Sequence, residues 1–459
     1  SEKTTYLASM IDIKDTFPSV GMDEWMQRLK KDLKSDDLSA LNFKDQVEGI
    51  AFRAFEHQES TNTPSLSPGD FPYTRGANPA NDNWKNGKSI QVLDEKSANK
   101  QALDVLMTGI DHLDFELSDT STNWDLLFEG IEFNFITCSF SVANAAQVEY
   151  ISSTLIPSYP LSIRMNLDRH DGELYAAVLE KLSHQLKNKQ APVLLVNGYA
   201  LQQTGANCTQ ELAFMASTAH AYLVDLLDLG LNFDEAAACI HFRTGIGSTY
   251  FLEIAKIRSL RHIWSSLIKE YEPVHACSYY CQLTAKTGLV NKSAKDPYTN
   301  LLRQTTEVMS AVIGGAQTII VTPYDTQTEK GISELSDRMA TNISLILKEE
   351  SYFDAVIDPL GGSYAIEKLT EELTNKGWKL FQDLEGMGGM HNCEARELLK
   401  VLVQHTRTIR LSEYEDKKRT LIGVTKFPNI QTVDNSYIPA WQYLGMDNLI
   451  IERDMNYGN

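Results

Sequence analysis

The pattern of hydrophobic and polar positions changes character near residue 89. From there, short apolar or alternating runs recur at 89–93, 112–117, 131–138, 161–166, 193–197, 238–242, 275–280 and 317–322. Each has the length of a strand, and longer stretches at helical spacing separate them, including 172–187, 209–229 and 249–269. In the last of these, Phe251, Ile254, Ile257, Leu260 and Trp264 form an apolar stripe opposite Lys256, Arg258 and Arg261. Eight alternating β and α elements predict an α/β fold, a (β/α)8 TIM barrel. A doubly wound open sheet is the alternative, because a single sequence leaves the strand count uncertain by roughly one or two.

The flanks read differently. Trp25, Met26, Leu29 and Leu33 recur at helical spacing, Ile50 to Phe52 with Phe55 form a second apolar group, and 60–69 is a loop by composition. Such an arm has little core of its own and is expected to lie on this barrel or on a partner. The segment 354–390 reads as a further βα-like element with glycine punctuation, and 394–409 as a final amphipathic helix. The expected domains are therefore an N-terminal helical arm and linker at a subunit interface (1–70), the barrel (71–352), and a C-terminal helical extension and tail (353–459).

The barrel prediction gives one stretch special weight. Val193 to Val196 form a continuous apolar run that breaks at Asn197-Gly198, the carboxyl end of a strand, where barrels place their chemistry. The next residues, Tyr199-Ala200-Leu201-Gln202-Gln203, offer amides and a phenol but no nucleophile, acid or imidazole.

Composition narrows the function class. The 459 residues are 42% hydrophobic and 22% charged, ordinary globular material, and the net charge of −19, with no basic run large enough to outweigh it, argues against nucleic acid. No apolar stretch approaches the roughly 18 to 20 residues of a membrane helix, and the polar start does not resemble a signal peptide. A cytoplasmic enzyme or enzyme subunit is expected, touching no membrane. The six cysteines mostly sit inside apolar segments, which predicts buried thiols. His275, Cys277 and Cys281 would share one face of a strand, an arrangement better suited to packing than to four-coordinate metal closure.

Charged residues near strand ends carry more information. Glu116, Arg164 and Arg243 can face the barrel mouth, where an acid beside an arginine grips a carboxylate or phosphate. The competing reading, an internal salt-bridge layer, is preferred. The glycines of Thr244 to Gly247, Gly361-Gly362, Gly205 and Gly314-Gly315 match neither a P-loop nor a dinucleotide fingerprint.

FPYTRG (71–76), GYALQQTGA (198–206), FRTGIGSTYFLEIAKIRSLRHIW (242–264), RQTTEVMSAVIGGAQTI (303–319), IDPLGGSYAIEKLT (357–370) and LIGVTKF (421–427) together resemble the barrel portion of cobalamin-dependent methylmalonyl-CoA mutases. In that family the barrel threads an acyl-CoA ester along its axis, and a carboxy-terminal domain carries the corrinoid on a histidine. The departures are selective. Catalytic chains carry Gly-Tyr-His where this chain has Gly198-Tyr199-Ala200, so the histidine that hydrogen-bonds the thioester carbonyl is replaced by Ala200. The Thr-Met-Tyr and Arg-Pro-Trp runs give way to 77–84, without the active-site tyrosine. The corrinoid signature Asp-x-His-x-x-Gly is absent, Asp168 to Gly172 being one residue short, and LIGVTKF resembles the linker into a corrinoid domain for which too few residues follow.

The resemblance therefore implies the small, non-catalytic (beta) subunit of a heterodimer. The chain alone is expected to be inactive, with no catalytic residue, metal or bound cofactor. Adenosylcobalamin is expected in a large catalytic partner, and Tyr73, Thr74, Arg75 and Gln202 as vestigial substrate contacts. Two alternatives stand beside it: a catalytic barrel working with a separately encoded cobalamin-binding chain, which the missing histidine disfavours, and a residual acyl-CoA-binding regulatory module.

Overall fold

The computed structural model describes residues 19–60, 66–77, 83–118, 121–142, 144–159, 161–166, 172–187 and 191–428. Asp168 to His170, most of 77–84 and most of the tail lie outside these residues.

Eight parallel strands close into a barrel: β3 (Lys85–Val92), β4 (His112–Leu117), β5 (Thr137–Ser141), β6 (Ile163–Asn166), β7 (Leu194–Asn197), β8 (Ile240–Ile246), β9 (Leu283–Thr287) and β10 (Thr318–Ile320). They pair in chain order, and β10 returns to β3 through Ile319↔Asn86. The open-sheet alternative is thus excluded. Ahead of the barrel, β1 (Phe43–Asp45) and β2 (Ile50–Phe52) form a separate antiparallel hairpin.

Helix α1 (Met22–Leu33) precedes the hairpin and buries none of its residues, with Trp25 resting on Phe55 at a centroid distance of 4.6 Å. The barrel helices are α2 (Glu95–Leu106), α3 (Trp124–Phe128), α4 (Ala145–Tyr150, continued by a π-helical turn), α5 (Gly172–Leu186), α6 (Gly198–Gln203), α7 (Cys208–Asp228), α8 (Phe233–Ala238), α9 (Tyr250–Lys269), α10 (Pro297–Ile313) and α11 (Glu334–Leu345). The extension adds α12 (Tyr364–Gly386) and α13 (Cys393–Glu415), with α12 packed on α9 and α7. Asn side chains start several of these helices. Asn207 and Asn232 each close a reciprocal box with the Gln or Glu three residues on, satisfying donors that the first turn leaves free.

The main apolar core lies between strands and helices, where Leu113, Phe115, Cys138, Phe140, Met165, Leu194, Val196 and Phe242 meet residues such as Leu223, Ile257 and Trp264. Strand alternation then turns the other residues of each strand inward. The hairpin docks on this chain: Cys208 N donates to Glu48 Oε2 at 2.9 Å, Asn207 to Val47 O at 2.9 Å, and Arg419 to Asp45 Oδ1 at 2.9 Å.

Three sequence expectations need correction. The apolar run 131–138 lies mostly in the turn before β5, because Ile131, Phe133 and Ile136 are buried under the barrel without pairing as a strand. The run 275–280 contains a 3-10 turn (Ala276–Tyr279), held by Asp234, which accepts from His275 N and Ser278 Oγ. The strand there is β9, starting at Leu283. Finally, 354–390 contains no strand; a 3-10 turn at Phe353–Ala355 leads to α12. Cys277 and Cys393 are exposed while the other four thiols are buried, and burial pushes Cys239 and Cys281 up to about 12.

Candidate functional site

Two regions compete for function, one at each end of the barrel. At the carboxyl end, β7 runs into α6, and Asn197 Oδ1 caps the turn by accepting from Ala200 N at 3.4 Å. Gly198 is required here, because a Cβ would stand 2.5 Å from Met215 Sδ and 3.1 Å from Arg243 O. Ala200 presents only a methyl group. Tyr199 lies beneath Lys286, whose Nζ is 4.9 Å from the ring centroid.

Gln202 is buried against the ends of β8 and β9. A Cβ on Gly245 would come within 2.7 Å of its amide, and one on Gly288 within 2.8 Å, so both glycines make room for that side chain. Its Oε1 accepts from Gln203 Nε2, and Gln203 Oε1 accepts from Leu289 N at 2.9 Å. The amides tie α6 to the loop after β9.

Tyr73, Thr74 and Arg75 sit at the opposite, amino-terminal end of the barrel. The loop leans on the second half of α9: Ser265 Oγ donates to Pro72 O at 2.6 Å and Arg261 Nη1 to Thr74 O at 3.5 Å. Tyr73 packs among Phe71, Tyr279 and Tyr280. Beside it opens a cleft of about 360 Å³, lined by Arg261, Cys277, Gln282 and Gln317 among others. Arg75 is engaged elsewhere, donating to Asp358 Oδ2 at 2.7 Å and to Leu66 O at 2.7 Å. Asp358 also takes Arg258, which holds Glu367 at 2.6 Å. Three of the family-like runs thus meet in one ion cluster, and Gly361 fits there because a Cβ would strike the Arg75 guanidinium. The structure therefore joins Tyr73, Thr74 and Arg75 to one another but not to Ala200 and Gln202.

Between the two ends, the lumen is mostly polar where such barrels usually hold branched aliphatics. His112, Asp114 and Glu116 point inward from β4, Ser139 from β5, Arg164 from β6, His241 and Arg243 from β8, Thr284 and Lys286 from β9. Arg243 Nη2 bonds Asp114 Oδ1 and donates to Ser139 Oγ at 2.8 Å. In the ring of eight, β4 and β8 are four strands apart in either direction, so this pair crosses the full bore. Ser89 and Ser139 donate to Asp114 at 2.8 and 2.7 Å, and Lys286 reaches Asp114 at 3.4 Å and Glu116 at 2.9 Å.

Burial alone would raise the Asp114 pKa, but Arg243 and Lys286 outweigh it and hold the carboxyl well below the usual carboxylate range. Burial, reinforced by Arg164, keeps the His112 and His241 imidazoles neutral by pushing their pKa values down. The preferred reading of Glu116, Arg164 and Arg243 as an internal salt-bridge layer holds for Glu116 and Arg243, whereas Arg164 pairs with no carboxylate among the described residues. Asp114 and Lys286 were not singled out from sequence, although the alternation His112-Leu-Asp114-Phe-Glu116 marks one polar strand face.

Among the described residues no group of three or more His, Cys, Asp and Glu is placed to hold a metal ion, and no helix is long and apolar enough to cross a membrane.

The sequence model of the methylmalonyl-CoA mutase family matches residues 175–454. A Porphyromonas gingivalis protein named methylmalonyl-CoA mutase small subunit is 31% identical over 457 residues, covering 93% of this chain and 72% of that protein. Methylmalonyl-CoA mutase of Rhizobium meliloti is 35% identical over 241 residues, 52% of this chain and 34% of that protein. The human mitochondrial methylmalonyl-CoA mutase is 25% identical over 457 residues, and this chain spans 60% of its length. Among solved structures, Yersinia pestis DHPS is similar over 58% of this chain and 94% of that chain, with a TM-score of 0.32 and 14% identity.

Proposed function

The chain belongs to the methylmalonyl-CoA mutase family, and on that premise we propose that it is the small, non-catalytic subunit of a heterodimeric, cobalamin-dependent methylmalonyl-CoA mutase. A large subunit carries the interconversion of methylmalonyl-CoA and succinyl-CoA and holds adenosylcobalamin. This barrel serves that subunit as a structural partner, and the name of the Porphyromonas gingivalis relative supports such an assembly.

The observation that carries the reading is the Asp114–Arg243 pair across the lumen. An acyl-CoA threaded along the axis would have to break apart a pair of almost wholly buried charges, at a cost of several kcal/mol. Ala200 supports the same conclusion, since removing one donor to a developing oxyanion typically costs about 10²- to 10³-fold in rate. The residues around Ala200 do not fit a corrinoid: among the described residues Tyr199, Gln202, Gln203, Lys286 and Thr322 offer no imidazole.

The test is co-expression with a large mutase subunit, followed by native mass measurement and turnover. A one-to-one complex is expected, with activity that survives Tyr199→Phe in this chain. A lone chain with no affinity for the large subunit, or turnover by this chain with an isolated corrinoid-binding protein, would overturn the reading.

The cleft beside Tyr73 favours one further reading, a residual acyl-CoA-binding module at the amino-terminal end. Calorimetry with CoA esters decides it, and no heat at millimolar ligand removes it.

A further inference from the structure

The outer face of α10 is unlike that of an ordinary barrel helix. Asn300, Gln304, Glu307, Val308 and Ala311 turn inward, and Tyr298, Leu302 and Thr306 recur every fourth residue on the opposite side. Tyr298 and Leu302 are each 69% exposed. The helix has two charged residues, and neither serves that side: Glu307 is buried with Lys292, and Arg303 Nη2 donates to Ile422 O at 2.6 Å. A helix face open to water normally carries charge. The apolar surface continues past the helix. Tyr298 lies 5.5 Å from Tyr324 between ring centroids, and Ser333 N donates to the adjoining Asp325 at 3.1 Å. That bond sets Ile332 and Leu335, both more than half exposed, at the same end of α10.

The chain itself offers a cover. The loop 421–427 is pinned to the edge of α10 by the Arg303 bond and by Gly423, where a Cβ would strike the carboxylate of Asp296, the residue that starts the helix. Phe427, 73% exposed, marks where the described chain leaves this edge. The following residues carry Ile438, Trp441, Leu444 and the run Leu449 to Ile451. Ile438 stands ten residues past Pro428, a reach of up to about 33 to 36 Å when extended. The 17 residues of α10 span about 26 Å, so every point of the face is within range.

We propose that residues 437–451 of this chain dock on the outer face of α10, their aromatic and aliphatic side chains covering Tyr298 and Leu302. Tethering favours this occupant over a separate chain, because a linked segment meets the face at an effective concentration of about 1 mM. With an affinity of only ~0.1 mM it then covers the face about nine-tenths of the time. The contact shields an apolar patch that would otherwise invite association, and it belongs to this chain whichever partner the chain has.

The experiment reads the accessibility of the face. Leu302→Cys is made in a Cys277→Ser/Cys393→Ser background, which removes the two exposed thiols, and its labelling by a maleimide is timed in the full chain and in a chain ended at Pro428. Ending the chain should speed labelling about tenfold. A control thiol at the exposed Lys100→Cys on α2 should react equally fast in both. Trp441→Ser/Leu444→Ser in the full chain should reproduce the acceleration, which keeps the test valid if the shortened chain folds poorly. Irradiation of Leu302→benzoylphenylalanine should give a cross-link to 437–451 within one chain. Equal labelling of the full and altered chains, protection that grows with protein concentration, as a second copy on the face would give, or protection seen only when a co-purifying chain is added would overturn the proposal.

Discussion

The ion pair spanning the barrel is open to direct measurement, and Arg243→Met is the perturbation that reaches it. The substitution keeps a long unbranched side chain in the lumen but removes the charge bound to Asp114. That carboxylate stays fully buried, with Lys286 at 3.4 Å and the hydroxyls of Ser89 and Ser139 as its remaining partners. Removing one member of a buried pair typically costs about 3 to 5 kcal/mol, far above the ~0 to 1 kcal/mol of a surface pair. Unfolding entropy of about 2.1 cal/mol/K per residue, over 459 residues, gives roughly 1 kcal/mol per degree. Scanning calorimetry should therefore record a melting temperature lower by about 3 to 5 °C. The double variant Asp114→Asn/Arg243→Met should recover some of the loss, because Asp114 then no longer stands as a charge without Arg243. If Arg243→Met melts within about 1 °C of the parent, the pair is hydrated and the lumen is not a closed bore.

Other tests bear on separate regions of the molecule. Ala200→His should not produce measurable isomerisation by this chain alone in a coupled turnover assay, because one imidazole does not clear the crossed bore. Gly245→Ala should lower stability by about 1 to 3 kcal/mol in denaturant unfolding, since its Cβ would stand 2.7 Å from the Gln202 amide. A wild-type transition there would mean that Gln202 is free to move. Burial raises the Glu48 pKa, so the folded state holds its proton more tightly than the unfolded state. That contribution is complete below the ordinary carboxylate range and is lost as pH rises through the raised value. Glu48→Gln should therefore match or exceed the parent melting temperature at about pH 8, with the gap closing towards the ordinary carboxylate range; a less stable variant at the higher pH refutes this assignment.

Strands are legible both where the two faces differ in chemistry and where the run is continuously apolar, as at 193–197, which contains β7. His112 to Leu117 alternates polar and apolar and coincides with β4. The errors share a cause. Ile131, Phe133 and Ile136 are buried by a turn that folds under the barrel, and apolar content alone does not separate that from a buried strand. The run around Cys277 is bound by Asp234, about forty residues upstream, a contact that no local pattern encodes. The same holds for the lumen. The inward face of β4 can be read from its alternation, but the partner of Asp114 lies 129 residues away, and only closure of the ring sets it opposite. Arg75 shows the converse case: a family-like run marks it, while its bonds to Asp358 and Leu66 O come from regions that no local pattern joins to it.

The hairpin that carries Asp45 and Glu48 has a consequence for synthesis. Its anchors are Asn207, Cys208 and Arg419, so the last of them emerges from the ribosome 374 residues after Asp45. At about 5 to 20 residues per second, that is a wait of roughly 20 to 75 s. Val47 and Ile50 of the same hairpin are buried in the finished protein, and Asn207 and Cys208 reach it before Arg419 does. The hairpin is thus a latch whose last anchor, Arg419, arrives late in synthesis.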